Sequence, residues 1–289
     1  MRAELGQAIA MLRKGDEEST QHALELLQRI VLSFGIKVCG HREDAEDTAQ
    51  EVLFSALPHL AALKDPQALS AWLYTAAKNR CLQGRRKASY RKSVPLEELI
   101  PGDAELHALL LADPAATPEE QILSNQDHQL LHRAVLALPP PYRIVLVLHD
   151  MEELDTDLVA RILSIQPNTV RVRLHRARLL VRQEMARFLH REGVSKRRKK
   201  STARRPAACR EIFANLSEYL DGKLPPADCD RMRAHIEACP ACVAFIRDLK
   251  QAIDRCRSFE ACPDGKARPI LRRLLTEEYL RLKNSAPNL

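Results

Sequence analysis

The segment Leu138-Pro139-Pro140-Pro141-Tyr142-Arg143 opens the stretch that decides the fold, residues 136–178. Proline lacks a backbone N–H and fixes φ near its helical value, so this cluster ends one helix and begins another. The apolar run Ile144-Val145-Leu146-Val147-Leu148 continues the new helix, and a polar corner follows at residues 150–153. The stretch therefore predicts two helices that meet at a proline break, the second ending in a polar turn.

A short helix and a longer one are predicted to follow that corner. Asp155 can cap the first, which ends at Leu163, because its carboxylate can accept from N–H groups of the first turn. Pro167 suits the first position of the longer helix. The apolar face of the longer helix consists of Val170, Leu174, Ala177 and Val181. Its other faces carry Asn168, Thr169, Arg171, Arg173, His175, Arg176 and Arg178, which are expected to face solvent. Such a helix-turn-helix is typical of major-groove binding, although a solvated helix of an ordinary bundle shows the same pattern.

These residues resemble region 4 of extracytoplasmic-function sigma factors. The most specific motif is Thr169-Val170-Arg171-Val172-Arg173-Leu174-His175-Arg176-Ala177-Arg178, supported by Val159-Ala160-Arg161-Ile162-Leu163. Three positions depart from the family: Glu153 replaces a glycine, Leu158 an acidic residue and Gln166 a serine cap. The resemblance implies that Asn168, Thr169, Arg171, Arg173, His175, Arg176 and Arg178 contact a minus-35-like promoter element.

Length and composition favour several small helical domains. The chain has 289 residues, 45% hydrophobic and only 4% aromatic, with 9 glycines and a net charge of +7. Leu- and Ala-rich helical modules fit this composition better than a β-rich protein, and the charge favours a polyanionic partner. No run of about 18 apolar residues and no signal-peptide core is present, so a cytoplasmic protein without a membrane anchor is expected.

The N-terminal part predicts an amphipathic helix over residues 18–36 and an acidic helix start at residues 42–51. Acidic side chains in a first turn are favourable to the helix dipole, so the bland interpretation is a solvated helix start. The following segment, residues 69–82, has Trp72 near one end and basic residues at the other. Aromatic faces and cations together can hold an unstacked nucleic-acid strand, although Trp72 taken alone is better explained as a core residue.

Together, residues 44–57 and 72–86 resemble region 2 of the same sigma-factor family. The resemblance implies that the acidic helix binds the β′ clamp of core RNA polymerase, through Asp44, Glu46, Asp47, Gln50 and Glu51. It also implies that melted bases of a minus-10-like element are captured by Trp72, Lys78, Asn79, Arg80, Arg85 and Arg86. The β flap is the further polymerase contact that the family implies.

The C-terminal part carries six of the chain's 8 cysteines, and three candidate metal ligands there are predicted to share one helical face. His235, Cys239 and Cys242 are spaced i, i+4 and i+7, and the C-x-x-C pair is a familiar half of a tetrahedral zinc site. Cys209, at the start of another amphipathic helix, is the expected fourth ligand, and Cys229 is the competitor. A C-x-x-C redox pair and ordinary buried cysteines are alternatives. Cys256 and Cys262 are expected to be structural or free.

The pattern Cys209…His235-x-x-x-Cys239-x-x-Cys242, with the turn Leu220-Asp221-Gly222-Lys223-Leu224, resembles the zinc-binding anti-sigma domain. That resemblance implies Zn²⁺ on Cys209, His235, Cys239 and Cys242 and an intramolecular contact with the sigma-like domains. Members of that family are usually separate proteins, whereas here the module is fused. An amphipathic helix at residues 269–282 has no motif and can pack on either part.

The predicted architecture is all-α, with two sigma-type helical domains and a small zinc-binding helical domain. Its parts are a region-2-like domain (1–92), a linker (93–125) with a short helix near 105–111, a region-4-like helix-turn-helix domain (126–190), a basic tether (191–206) and the zinc module with the final helix (207–289). The predicted function is promoter-specific transcription initiation with core RNA polymerase, regulated by the zinc module. A helix-turn-helix repressor or activator with a metal- or redox-sensing tail is the main alternative, and a redox protein using Cys239 and Cys242 is a third. No catalytic arrangement is visible, so no enzyme is expected.

Overall fold

The computed structural model describes residues 3–60, 65–83, 124–191, 207–261 and 269–285. Regular structure in these ranges is helical throughout, which confirms the all-α prediction. The helices are α1 (Ala3–Lys14), α2 (Glu17–Cys39), α3 (Arg42–Leu60), α4 (Pro66–Gln83), α5 (Ser124–Ala137), α6 (Pro140–Leu146), α7 (Thr156–Leu163), α8 (Pro167–Arg191), α9 (Ala207–Leu220), α10 (Pro226–Ala238), α11 (Pro240–Arg257) and α12 (Pro269–Ser285), with a π-helical turn at Val147–Met151. Among the described residues no helix combines the length and apolar character needed to cross a membrane. The predicted short helix at 105–111 and the stretch 192–206 lie outside the described residues.

The described residues form two compact units. The first is drawn from Met1–Ser89, Val147–Pro167 and Glu260–Leu289, and the second from Tyr90–Leu146 and Asn168–Phe259. The boundary at Pro167 and Asn168 falls at the start of α8. The helix-turn-helix is therefore divided between the two units, with α7 residues in the first and α8 residues from Asn168 onward in the second.

In the first unit, α2 is the central helix, and α1, α3 and α4 pack on it. The Asp16 carboxylate caps α2 by accepting from the N–H of Ser19 at 2.7 Å, and Gly40 ends the helix with φ at 80°. Gly35 lies where α2 meets α3, because a Cβ placed there would be 3.0 Å from the Cβ of Ala45. The close approach of the two helices therefore depends on a glycine.

Two further features join parts of the first unit that are distant in sequence. A disulfide between Cys39 and Cys81 links α2 to α4, and this pairing was not predicted from the sequence. The final helix, α12, packs on α2 and α3 and buries Leu275 and Tyr279, while Arg272 pairs with a glutamate of α2 at 3.1 Å. The unassigned C-terminal helix therefore belongs with the region-2-like helices.

The corner before α7 is buried within the first unit. The Glu152 side chain is fully buried, and Glu153 has φ at 56°, in the left-handed region that favours glycine. A glycine would adopt this conformation without the steric cost that a Cβ brings. Asp155 caps α7 by accepting from the N–H of Leu158 at 2.8 Å, and Ser164 ends it with φ at 54°. The predicted cap, helix end and turn are confirmed.

In the second unit, the proline break falls between α5 and α6, as predicted. The Arg143 guanidinium donates to the carbonyls of Leu136 and Leu138, at 2.5 and 2.9 Å, and so satisfies groups that the end of α5 leaves open. The predicted apolar stripe of α8 is buried: Val170, Leu174, Ala177 and Val181. Helices α9 to α11 form a small module whose Phe213 and Phe245 rings meet edge to face at 4.8 Å.

Candidate metal centre and nucleic-acid interface

Four ligand side chains converge in the small module of α9, α10 and α11. Cys209 lies in the first turn of α9, His235 in the last turn of α10, Cys239 at the junction of α10 and α11, and Cys242 in the first turn of α11. Their ligand atoms all lie within 4.8 Å of one another. The structure therefore brings together the four residues that the sequence predicted as metal ligands.

The distances between these atoms fit a tetrahedral zinc site. Zinc bound about 2.3 Å from sulfur and about 2.0 Å from nitrogen places two sulfurs about 3.8 Å apart, and sulfur and nitrogen about 3.5 Å apart. The Sγ atoms of Cys242 and Cys209 are 3.9 Å apart. His235 Nε2 lies 3.5 Å from Cys209 Sγ and 3.3 Å from Cys242 Sγ. These four donors fit a single soft cation.

Local chain geometry holds two of the ligands in place. Cys239 is at once the C-cap of α10 and the N-cap of α11, and Pro240 begins α11. The Cys239 carbonyl accepts from the N–H of Cys242 at 3.0 Å, which closes the C-x-x-C turn. Burial raises the pKa of the Cys242 thiol, and the adjacent Cys239 and Cys209 raise it further. A bound cation would reverse this by stabilising the thiolates.

The other cysteines of this part of the chain do not join the cluster. Cys229 donates its thiol to the Leu224 carbonyl at 3.6 Å, so the alternative fourth ligand points elsewhere. Cys256 is buried away from the cluster, and Cys262 lies outside the described residues. Among the residues that the structure describes, this is the one group of histidine, cysteine and acidic side chains close enough to hold a metal.

The polar faces of α8 are only partly exposed. Asn168 and Arg171 are exposed, and Thr169, Arg173 and Arg176 are half-buried. His175 and Arg178 are buried, so the expectation that they face solvent is wrong in this conformation. The physical reason is that α9 covers that side of α8.

Contacts between α8 and α9 account for this burial. The Arg178 guanidinium is fully buried and donates to both carboxylate oxygens of Asp221, at 2.8 and 2.9 Å. His175 Nδ1 lies 2.9 Å from the Ser217 hydroxyl, and its Nε2 has no partner among the described residues. Burial, helped by the neighbouring arginines, lowers the pKa of His175 to about 4. The imidazole is therefore neutral near pH 7.

Helix α11 makes a second set of contacts with α8. Arg182 donates to the Asp248 carboxylate at 2.5 Å, and its guanidinium lies 4.6 Å from the centre of the Phe245 ring. Arg171 adds a long ion pair to Glu218 of α9, at 4.0 Å. Sequence reasoning did not identify Arg182, Asp221 or Asp248 as site residues. The only signal was the position of Asp221 in the turn that resembles the anti-sigma family.

The predicted polymerase-binding residues form an open acidic surface on α3. Asp44, Asp47, Gln50 and Glu51 are exposed, and Glu46 is half-buried and pairs with Arg42 of its own helix at 2.9 Å. The acidic surface, as defined by these five predicted residues, thus faces away from the packed side of α3.

The predicted minus-10 residues differ from one another in exposure and in hydrogen-bond partners. Trp72 is half-buried beside His59, with ring centres 5.4 Å apart. Asn79 and Arg80 are exposed, and Arg80 pairs with Glu51 of the acidic surface. Lys78 donates to the carbonyl of Ile162 at 3.0 Å, and burial lowers its pKa. Arg85 and Arg86 lie outside the described residues.

Comparisons with known families match all three parts of the chain. Residues 23–91 match the family described as Sigma-70 region 2, and residues 128–181 match Sigma-70, region 4. Residues 209–242, which end at the last metal ligand, match the family described as "Putative zinc-finger". The chain is an extracytoplasmic-function sigma factor. The predicted family is thereby confirmed, including the C-terminal zinc-finger domain.

Several curated sigma factors are similar over the region 2 and region 4 portion. The ECF RNA polymerase sigma factor SigW of Bacillus subtilis is 26% identical over 177 residues, covering 61% of this chain and 94% of that protein. The ECF RNA polymerase sigma factor SigM of Mycobacterium tuberculosis is 31% identical over 136 residues, 47% of this chain and 61% of that protein. The ECF RNA polymerase sigma-E factor of Escherichia coli is 26% identical over 175 residues, 59% of this chain and 88% of that protein.

This sigma factor directs transcription initiation. Sigma factors bind core RNA polymerase and promoter DNA and are not enzymes, so the expectation of a non-enzymatic protein is confirmed by the family. The presence of region 2 as well as region 4 separates the chain from a helix-turn-helix repressor, which has no use for a polymerase-binding module.

Proposed function

We propose that this sigma factor is held inactive by its own C-terminal zinc module, which docks on the recognition helix α8. The single observation that carries the proposal is the fully buried Arg178, held at both nitrogens by Asp221. A guanidinium that pairs with a carboxylate in this way uses the same donors that would pair with a DNA phosphate. Docking and promoter binding at Arg178 are therefore mutually exclusive.

The promoter contacts themselves are proposed as follows. The N-terminal part of α8 reads base edges in the major groove, and Arg178 contacts the DNA backbone. The minus-35-like contacts are Asn168, Thr169, Arg171, Arg173, His175, Arg176 and Arg178. The minus-10-like contacts are Trp72, Lys78, Asn79, Arg80, Arg85 and Arg86.

The acidic surface of α3 is the proposed site for the β′ clamp of core polymerase, and region 4 is the proposed partner of the β flap. The protein acts in the cytoplasm, where core polymerase is found. The domain limits given above (1–92, 126–190 and 207–289) are the proposed functional modules.

The metal centre supports docking by holding three helices, α9, α10 and α11, together. Asp221 directly follows α9, and α11 carries Asp248, so both acidic partners of α8 lie on or next to helices that also supply ligands. Three thiolates and one imidazole at the observed spacing favour zinc over harder cations such as magnesium or calcium, which prefer oxygen. A bound zinc ion would link α9 to α10 and α11 and so keep the acidic partners in register.

Because the zinc module is covalently connected to region 4, even a weak interaction is enough to keep it docked on α8. A module tied to its target by a short connection acts at an effective concentration on the order of millimolar. Helix α12 adds a second attachment, because it packs on α2 and α3 of region 2 and its Arg272 pairs with Glu25 at 3.1 Å. The C-terminal part of the chain thus contacts helices of both sigma regions, each within its own unit.

The test replaces Cys239 and Cys242 with serine in the full chain and measures zinc content and run-off transcription with core polymerase. Zinc is expected to fall from one ion per chain towards none, and transcription is expected to rise. Cys229→Ser serves as the matched control, because its thiol lies outside the cluster. Zinc retained in the double variant would refute the metal centre, and transcription that falls once zinc is lost would refute inhibition by the module.

A further inference from the structure

The Cys39–Cys81 disulfide lies where the ends of two region 2 helices meet. Cys39 is the last residue of α2, before the Gly40 cap, and Cys81 is in the last turn of α4. Both side chains are buried. The Thr48 hydroxyl of α3 lies 3.9 Å from Cys81 Sγ, so the bond also contacts the third helix of this corner. One covalent bond thus ties the end of α4 to α2, next to α3.

The end of α4 also carries proposed minus-10 contacts. Asn79 and Arg80 directly precede Cys81 in the chain, and both side chains are exposed. Arg80 pairs with Glu51, a residue of the acidic surface on α3. The bond therefore holds the segment from which the proposed DNA-binding side chains project.

A helix end of this kind is only weakly ordered by its own backbone. The last four carbonyls of an α-helix have no partner within the helix, and terminal segments open more easily than the interior of an element. Joining Cys81 to α2 removes many of the open conformations of that turn, as a disulfide does in an unfolded chain. With the bond formed, Asn79 and Arg80 are ordered before DNA arrives. Without it, DNA binding must supply the free energy that ordering them costs.

The proposed cytoplasmic setting gives this bond a second meaning. Reducing thiols keep most cytoplasmic cysteines reduced, and the disulfides that form there are usually transient and redox-sensing. We propose that Cys39 and Cys81 are a redox modification site, whose substrates are low-molecular-weight thiols and their disulfides, and that formation of the bond strengthens capture of the melted minus-10 strand. The inference rests on the proposed minus-10 contacts and cytoplasmic setting, and it is independent of inhibition by the zinc module.

Formation of the bond takes two successive thiol–disulfide exchanges. The thiolate of one cysteine attacks an oxidised low-molecular-weight disulfide, a mixed disulfide forms, and one small thiolate leaves. The thiolate of the other cysteine then attacks the protein sulfur of the mixed disulfide, and the second small thiolate leaves. The protons of the two cysteines end on the two small thiols. The cysteine pair is oxidised and the small disulfide is reduced, and reduction of the bond by two small thiols is the reverse.

The first measurement compares the oxidised and reduced forms of the full zinc-loaded chain in glutathione buffers that span the cytoplasmic range. Thiol trapping with mass spectrometry is expected to show that the Cys39–Cys81 pair changes state within that range. Amide hydrogen exchange of residues 79–82 is expected to accelerate about thirtyfold on reduction, the effect of a disulfide at the weak end of the usual range. A bond that stays formed in excess reduced glutathione is structural and overturns the proposal.

The second measurement uses holoenzyme assembled from the oxidised or the reduced chain with core polymerase. One DNA probe is a fork with a single-stranded minus-10 element, and the other is a duplex with the minus-35 element alone. Reduction is expected to weaken binding to the fork about tenfold, the cost of ordering two long side chains, and to leave binding to the duplex unchanged. Equal or higher affinity of the reduced form for the fork, or an equal loss on both probes, overturns the proposal.

Variants assign the response to this pair of cysteines. Cys39→Ser with Cys81→Ser should bind the fork as the reduced wild type does, whatever the glutathione ratio. Cys229→Ser is the matched control and should keep the response, because its thiol lies outside the metal cluster and the disulfide. Zinc is expected to stay at one ion per chain in all of these proteins. The comparison of oxidised and reduced wild type needs no substitution, so it decides the question if the double variant does not fold.

The same comparison in a zinc-free background separates this site from the zinc module. A redox response that persists with Cys239→Ser and Cys242→Ser supports the Cys39–Cys81 site. A response that disappears with the zinc belongs to the module and overturns the proposal. If Asp221→Asn fails to raise transcription while the redox response remains, the proposed inhibition by the module is wrong and the redox site stands.

Discussion

The buried pair of Arg178 and Asp221 gives the sharpest test of autoinhibition. Asp221→Asn keeps the shape of the side chain and removes its charge, so the buried Arg178 loses its ion pair with Asp221. The Arg178 side chain is 0% exposed and that of Asp221 10%, so solvent screens the pair only weakly. Removing one partner of such a pair costs about 3 kcal/mol, or about a hundredfold in the equilibrium between docked and released module.

The assay is promoter binding by fluorescence anisotropy and run-off transcription from a mapped target promoter, with zinc content measured on the same sample. Asp221→Asn is expected to strengthen promoter binding and raise transcription while zinc remains at one ion per chain. The control is Asp230→Asn in the same module, where the side chain is 73% exposed and pairs with Arg233 of its own helix at 3.4 Å. Exposed pairs of this kind contribute little, so the control should behave as the wild type. Wild-type promoter affinity in Asp221→Asn, with full zinc, would refute the docking mechanism.

Three further predictions concern the pH dependence of docking, polymerase binding and the disulfide. Docking of the zinc module should weaken as pH falls from about 6.5 towards 4. Burial in the docked form lowers the pKa of His175 from 6.5 to about 4, so the released form takes up the proton first. Promoter affinity that is equally low at pH 7.5 and pH 5 contradicts this. Asp47→Lys should reduce co-purification with core polymerase without changing zinc content, and unchanged recovery would place the polymerase site elsewhere. Cys39→Ser should lower the free energy of unfolding, measured in urea, by about 2–4 kcal/mol, and reduction of the wild type should have the same effect. Equal stability of the oxidised and reduced protein would count against the bond with Cys81.

Features with a local or periodic signature could be predicted from the sequence. The stripe from Val170 to Val181 is buried because residues three and four apart share one helical face. The cap at Asp155 and the proline that starts α8 depend only on adjacent backbone groups. Likewise, His235, Cys239 and Cys242 were found because a single turn and its flanking helices place them together.

Features that join distant parts of the chain carried no such signature. The disulfide spans 42 residues and the Lys37–Glu152 pair 115, and neither partner is marked by its neighbours in sequence. The choice of Cys209 over Cys229 depended on how α9 folds back on α10. Periodicity identified the face of α8 that packs inward, but it could not show that Arg178 on another face is also covered.

The burial of Arg178 bears on how the proposed inhibition by the zinc module would be released. The guanidinium of an arginine pairs in the same geometry with a carboxylate as with a phosphate, so an acidic partner can take the place of DNA when the arginine is buried. Asp221 in the turn after α9 and Asp248 on α11 provide that replacement, at Arg178 and at Arg182. Asp248 lies on a helix that supplies a metal ligand and Asp221 directly follows another, so in the proposed mechanism a change at the metal centre would alter the spacing of the two carboxylates together. On this proposal, release requires no new contact with α8. It would follow when the two acids no longer match the spacing of the two arginines, so that promoter phosphates take their place.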